Sequence, residues 1–173
     1  MSLVTKAAPD FRAEAVIDGE LTEVKLADYR GQWVVLFFYP LDFTFVCPTE
    51  IREFNQMREQ FADAGAQILS VSTDSVYSHL AWQKHDLGEI GYPMIADMTK
   101  RISRDYRVLL ENEGVALRGL FIIDPEGTVQ YELVHSLSVG RNVAEIHRVL
   151  QAIQTGELCP VGWEPGADTL GEA

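Results

Sequence analysis

A chain of 173 residues with 47% hydrophobic and 23% charged residues has the size and balance of one globular domain, able to bury a core without disulfide or metal staples. Its 26 acidic against 14 basic residues give a formal net charge of −12, which argues against nucleic acid or an anionic membrane as the main partner. The first ten residues lack the apolar core of a signal peptide, and no run reaches the ~18 apolar residues that span a bilayer, so a soluble, cytoplasmic protein is expected.

In chain order, the first clear element is the run Trp33-Val34-Val35-Leu36-Phe37-Phe38-Tyr39, β-branched and aromatic throughout, as expected of a strand covered on both faces. Pro40 ends it. Pro48 is a favoured first-turn residue for a helix continuing through Glu50, Phe54, Met57 and Phe61. Residues 67–72 read as a short buried strand. Asp74 or Ser75 can cap a helix over Val76, Tyr77, Leu80, Ala81 and Trp82. Residues 93–96 form a weak strand, and Thr99 is expected to open a short helix through Ile102 and Tyr106. Residues 117–123 and 128–134 are two strands joined by Asp124-Pro125-Glu126-Gly127, a turn sequence predicting an antiparallel hairpin. Asn142 and Glu145 resemble a capping box ahead of Val143, Ile146, Val149, Leu150 and Ile153 at helical spacing. Alternation followed by a hairpin predicts an α/β fold with a mixed sheet between helices. Its boundaries are expected at 1–155 for the domain and 156–173 for a surface tail.

The chemistry concentrates where the strand at 33–39 gives way to a helix. Cys47 falls at or beside the N-cap, where unpaired backbone N–H groups and the positive end of the helix dipole favour an anion. The plainer alternative is a buried cysteine acting as a small hydrophobe. The second cysteine, Cys159, is too distant in sequence for Cys-x-x-Cys chemistry. In a reducing compartment, two such cysteines are more often redox-active than a permanent bridge. Thr44 can turn its hydroxyl toward Cys47, or simply cap the turn. Pro40 can shape a pocket as well as end the strand. Arg118 interrupts an apolar strand, where a charge is costly unless paired, and is the candidate electrostatic partner of Cys47. The four histidines lack metal-ligand spacing, and no glycine-rich phosphate loop is present, so neither metal nor nucleotide cofactor is expected.

The pattern Pro40-x-x-x-Thr44-x-x-Cys47 resembles the active-site motif of the peroxiredoxins. Phe43-Thr44-Phe45-Val46-Cys47-Pro48-Thr49-Glu50 is similar to the version in their typical two-cysteine branch, which includes the alkyl hydroperoxide reductase C subunit and thioredoxin peroxidases. The segments 118–124, 139–141 and 156–163 resemble later landmarks of that family. The resemblance implies a thioredoxin-like fold and a thiol-dependent peroxidase for hydrogen peroxide and organic hydroperoxides, serving antioxidant defence. It implies that Cys47 becomes a sulfenic acid and that Cys159 resolves it as a disulfide between two subunits, with Glu50 and Arg141 holding Arg118 in place. The implied reductant is thioredoxin or a flavoprotein disulfide reductase. The implied assembly is a homodimer, and from it a ring of five dimers buttressed by the Cys47 loop, with Phe43 and Phe45 packed in it. The chain lacks the Gly-Gly-Leu-Gly segment and C-terminal Tyr-Phe pair of hyperoxidation-sensitive members, and its tail is short after Cys159. A competing reading is a redox-regulated holdase chaperone or peroxide-signalling relay. A thioredoxin-type oxidoreductase is disfavoured by the missing Cys-x-x-Cys pair.

Overall fold

The computed structural model describes residues 2–172. The chain divides into two compact units, the first running to Arg141 and the second beginning at Asn142. In the first, β1 (Arg12–Ile17) and β2 (Glu20–Lys25) are followed by β3 (Trp33–Phe38), α1 (Cys47–Gln56), α2 (Arg58–Asp63), β4 (Ala66–Ser72) and α3 (Val76–Trp82). Then come β5 (Met94–Ala96), α4 (Arg101–Asp105), β6 (Leu109–Leu110), β7 (Val115–Ala116), β8 (Arg118–Ile123) and β9 (Val129–His135). Seven strands form one sheet in the order β2-β1-β5-β4-β3-β8-β9, while β6 and β7 form a separate small hairpin. Strands β3, β4 and β5 run parallel and the other neighbours are antiparallel. This is the mixed α/β sheet that the alternation of elements predicts, and the thioredoxin-like fold that the family resemblance implies.

Alternation along β3 divides the core. Phe38 faces Tyr106 and Phe121, with ring centroids 5.4 and 5.9 Å away, while Phe37 on the other face stacks on Phe54 of α1 at 4.2 Å. Both phenylalanines are fully buried, each contributing about 1.5–3 kcal/mol of apolar burial. Because Phe54 docks directly on Phe37, the central strand fixes the position of α1 and therefore of its first residue, Cys47.

Three local details differ from expectation. The β1–β2 hairpin turns through Asp18 and Gly19, both at positive φ (50° and 76°), a geometry that Asp-Gly pairs favour. Its second strand is a solvent-facing edge with Val24 alone buried, so it shows no apolar alternation. The single helix expected through Phe61 breaks at Met57 into α1 and α2, yet Phe54 and Phe61 remain in ring contact at 6.1 Å. Thr99 does not cap α4. Lys100 takes a left-handed φ of 60°, and the Asp97 carboxylate accepts from the backbone N–H groups of Ile102 (3.1 Å) and Ser103 (2.7 Å).

The second unit begins with α5 (Val143–Gln154), capped by Asn142 Oδ1, which accepts from Glu145 N at 3.0 Å. The reciprocal arm of the capping box is replaced by an ion pair, because the Glu145 carboxylate takes Arg148 instead. Leu158 N donates to Gly171 O and Leu170 N to Leu158 O, which closes the tail on itself. Arg148 donates to Trp163 O and Cys159 Sγ to Ala152 O, so α5 and the tail form one unit. The second compact unit thus comprises α5 and the tail, beginning at Asn142. Among the described residues, no helix is long and apolar enough to cross a membrane.

Candidate active site

Strand β3 delivers the chain to Tyr39 and Pro40, a loop follows, and Cys47 opens α1 with Pro48 in its first turn. Antiparallel pairing sets Phe37 opposite Leu120, so Arg118, at the start of β8, comes beside the end of β3 and the loop that follows it. The Arg118 side chain is 3% exposed. Its Nη1 lies 3.4 Å from Cys47 Sγ and donates to Glu50 Oε2 at 2.7 Å, while its Nε donates to Leu137 O at 2.8 Å.

Glu50 lies three residues after Cys47, on the same face of α1. Its Oε1 accepts from both the backbone N and the Nε of Arg141, and its Oε2 from Arg141 Nη2. Arg141 also donates to Gly119 O at 2.6 Å and lies over the Phe37 ring, 5.1 Å from its centroid. Burial alone would push the Glu50 carboxyl up. The hydrogen bonds and charge of Arg141, with the charge of Arg118, overcome it and hold the group below the ordinary carboxylate range. Two guanidinium groups against one carboxylate leave one positive charge in excess, and Arg118 presents it to the buried Cys47 sulfur.

Arg118 also lines a largely apolar cleft of about 420 Å³, together with Pro40, Thr44, Phe45, Leu137 and Glu113. It thus bridges the buried sulfur and the accessible space. Thr44 reaches this cleft, but its hydroxyl donates to Leu41 O at 3.0 Å, so toward the cleft it presents acceptor lone pairs. A cavity of about 480 Å³ bordered by β1 and α4 shares no lining residue with the cleft.

A second buried network, missed in the sequence, pins the loop from below. Tyr39 Oη donates to Asp42 Oδ1 at 2.8 Å, and His79 Nδ1 meets Asp42 Oδ2 at 2.8 Å. The backbone N of Asp42 donates to Asp74, which also accepts from Ser72. Burial raises the Tyr39 hydroxyl well above its ordinary range, with the Asp42 charge adding to it, so it remains a donor. His79 was legible only as one of four scattered histidines; its partner Asp42 stands inside the motif, and that position was the available signal. Above this network, Phe43 and Phe45 are 56% and 93% exposed in the chain, so they are not packed within it. Phe43 adopts a left-handed φ of 55° and touches Trp82 at 5.7 Å between ring centroids.

The structure thus brings together Cys47, Arg118, Glu50 and Arg141, with Pro40 and Thr44 on the adjoining cleft. Cys159 belongs to the second unit, partly buried, with Sγ 3.4 Å from Thr155 Oγ1 and 3.5 Å from Ala152 O.

The thioredoxin-like sheet seats a buried cysteine at a helix N-terminus, 3.4 Å from an arginine that lines a cleft. The profile of the AhpC/TSA family matches residues 4–132. Peroxiredoxin-2 of Macaca fascicularis is 52% identical over 176 residues, covering 96% of this chain and 89% of its own. A putative peroxiredoxin in the rubredoxin operon of Clostridium pasteurianum is 54% identical over 175 residues, covering 97% and 98%. The crystal structure of reduced Plasmodium vivax 2-Cys peroxiredoxin superposes with a TM-score of 0.94 at 42% identity, over 97% of this chain and 92% of that one. The chain belongs to the AhpC/TSA family of peroxiredoxins. Its activity is that of a thiol-dependent peroxidase.

Proposed function

We propose that Cys47 is the nucleophile that attacks the peroxide. The observation that carries this reading is the Arg118 guanidinium, 3.4 Å from a buried sulfur at a helix N-terminus and open on its other side to the cleft. A Cys47 thiolate balances the excess charge of the Arg118–Glu50–Arg141 cluster and attacks one oxygen of the peroxide. The S–O bond forms as the O–O bond breaks, the departing oxygen takes a proton and leaves as water or alcohol, and Cys47 becomes a sulfenic acid. Arg118 stabilises the charge that develops on the stretched O–O bond. Thr44 accepts the peroxide O–H as placed, or donates after releasing Leu41. Pro40, with no N–H of its own, keeps that edge of the cleft dry.

Cys159 of a second subunit then condenses with the sulfenic acid, and thioredoxin or a flavoprotein disulfide reductase returns both thiols. The cytoplasm suits two free cysteines that need a reductant. The exposed Phe43 and Phe45 on the active-site loop support assembly of dimers into a ring of five. The test is peroxide consumption by the full-length protein with a thioredoxin system, repeated with a flavoprotein disulfide reductase. Turnover with either one identifies the donor. Absence of any peroxide-dependent oxidation of Cys47 overturns the reading.

A further inference from the structure

We propose that Thr155 is a positioning residue for the second chemical step, parking the Cys159 thiol until a sulfenic acid is presented to it. The inference rests on the reading of Cys159 as the resolving cysteine.

Thr155 closes the C-terminal end of α5. Its hydroxyl has a single hydrogen, which is donated to Ala152 O at 2.8 Å. The same oxygen accepts from the backbone N–H of Glu157 at 3.1 Å. With its hydrogen directed at Ala152 O, Oγ1 is assigned as the acceptor in its contact with Cys159 Sγ, where either atom can donate. The S–H therefore points inward, toward Thr155 Oγ1 at 3.4 Å and Ala152 O at 3.5 Å. A sulfur donating its proton is a thiol, whereas the thiolate is the nucleophile. Thr155 also anchors the start of the tail through Glu157, and the Leu158 contacts with Leu170 and Gly171 close the loop on the far side of Cys159.

Resolution requires this contact to open. The Cys159 sulfur then bonds to the Cys47 sulfur, the S–O bond of the sulfenic acid breaks, and the departing hydroxide takes up the Cys159 proton as water. No further oxidant or reductant is involved. While Cys159 stays parked, the sulfenic acid remains open to a second peroxide and to sulfinic acid formation. Thr155 thus sets the balance between resolution and overoxidation from a position that never touches the peroxide.

The experiment compares wild type with Thr155→Val, Thr155→Ala and Thr155→Ser in the full-length protein. Each is mixed with one equivalent of hydrogen peroxide, quenched by alkylation and scored for disulfide and sulfinic acid by mass spectrometry. Thr155→Val and Thr155→Ala are expected to form the disulfide about two- to fivefold faster, the scale of one net hydrogen bond. They should carry less sulfinic acid at excess peroxide, with the rate of Cys47 oxidation unchanged, and Thr155→Ser should behave as wild type. Resolution as slow as wild type or slower in both apolar variants overturns the proposal. Cys159→Ser run alongside separates the two claims: a disulfide that still forms there refutes the resolving role itself. A disulfide lost there, with Thr155 variants unaltered, refutes the parking role alone.

Discussion

The two cysteines lie at opposite kinds of helix end. Cys47 opens the ten-residue α1, where backbone N–H groups lack intrahelical partners, and Cys159 follows the twelve-residue α5, where carbonyl groups do. Around Cys47 the partners are charged, buried and remote in sequence: Arg118, and through it Glu50 and Arg141. Around Cys159 they are neutral and local, Thr155 and Ala152. A thiol held by side chains from a strand, a helix and a loop keeps its geometry as long as the first turn of α1 stays wound. A thiol held by the preceding turn comes free when that turn frays. The first arrangement suits a nucleophile that must meet a transition state in fixed geometry, and the second suits one that must travel.

The comparison breaks most sharply at the sulfurs themselves. Cys47→Ser should abolish peroxide consumption, because an alcohol cannot supply the nucleophile at neutral pH. Cys159→Ser should consume one equivalent of peroxide per site and then stall with thioredoxin as reductant. Stopped-assay peroxide counting distinguishes the two, and sustained turnover in either variant would remove that cysteine from the cycle. Next in size is Arg118→Ala, expected to slow Cys47 oxidation on the order of 10²-fold, the scale of a lost transition-state donor. The second-order rate with peroxide reads this, while the rate of disulfide formation should be much less affected.

What the sequence revealed follows the same division between local and remote. The strand–loop–helix unit around Cys47 is written in consecutive residues, Trp33 to Phe54, and was legible from composition and the two prolines. Arg118 was visible as a charge within an apolar strand. The contacts Glu50–Arg141 and Asp42–His79 join residues far apart in the chain, on helices and loops that only the folded packing brings together. Glu50 and Arg141 were therefore reached through family resemblance, and His79 was not reached at all. The β1–β2 hairpin was missed for a different reason. Its exposed edge strand carries no alternation, although Asp18-Gly19 was a usable turn signal. Thr99 is the cap the sequence suggests for α4, but the left-handed Lys100 hands that task to the Asp97 carboxylate, and a left-handed lysine cannot be read from composition.

Glu50 tests the charged side of the comparison through stability. Glu50→Gln leaves Arg118 and Arg141 without their shared carboxylate, and breaking a buried pair of this kind costs about 3 kcal/mol. The Glu50 carboxyl is held below its ordinary value of 4.5. Its contribution is therefore fully present above pH 4.5 and is lost as pH falls through the lowered value in the folded state. The difference in Tm between wild type and Glu50→Gln should be largest at neutral pH and shrink below pH 4.5. A difference that stays constant through that window would mean that the carboxylate charge contributes nothing to the cluster.

The smallest effect on the chain itself is expected at Phe45, and there the contrast moves from the sulfur to its surroundings. Phe54 is buried against Phe37 and Phe61, whereas Phe45, two residues before Cys47, is 93% exposed. Truncating so exposed a ring removes few contacts within the chain, so Phe45→Ala should change unfolding free energy by no more than about 0.5 kcal/mol. If Phe45 instead belongs to the contact between dimers, the same truncation should lower the average mass of the reduced protein in light scattering without altering Tm of the dimer. Oxidation should act in the same direction. Bridging Cys47 to Cys159 demands Cα atoms within ~4.4–6.8 Å, and a bridge that pulls the first turn of α1 and the loop carrying Phe45 out of place would loosen that contact. A Phe45→Ala protein that assembles like wild type would exclude Phe45 from the interface. A reduced wild type that remains dimeric at high concentration would exclude the ring.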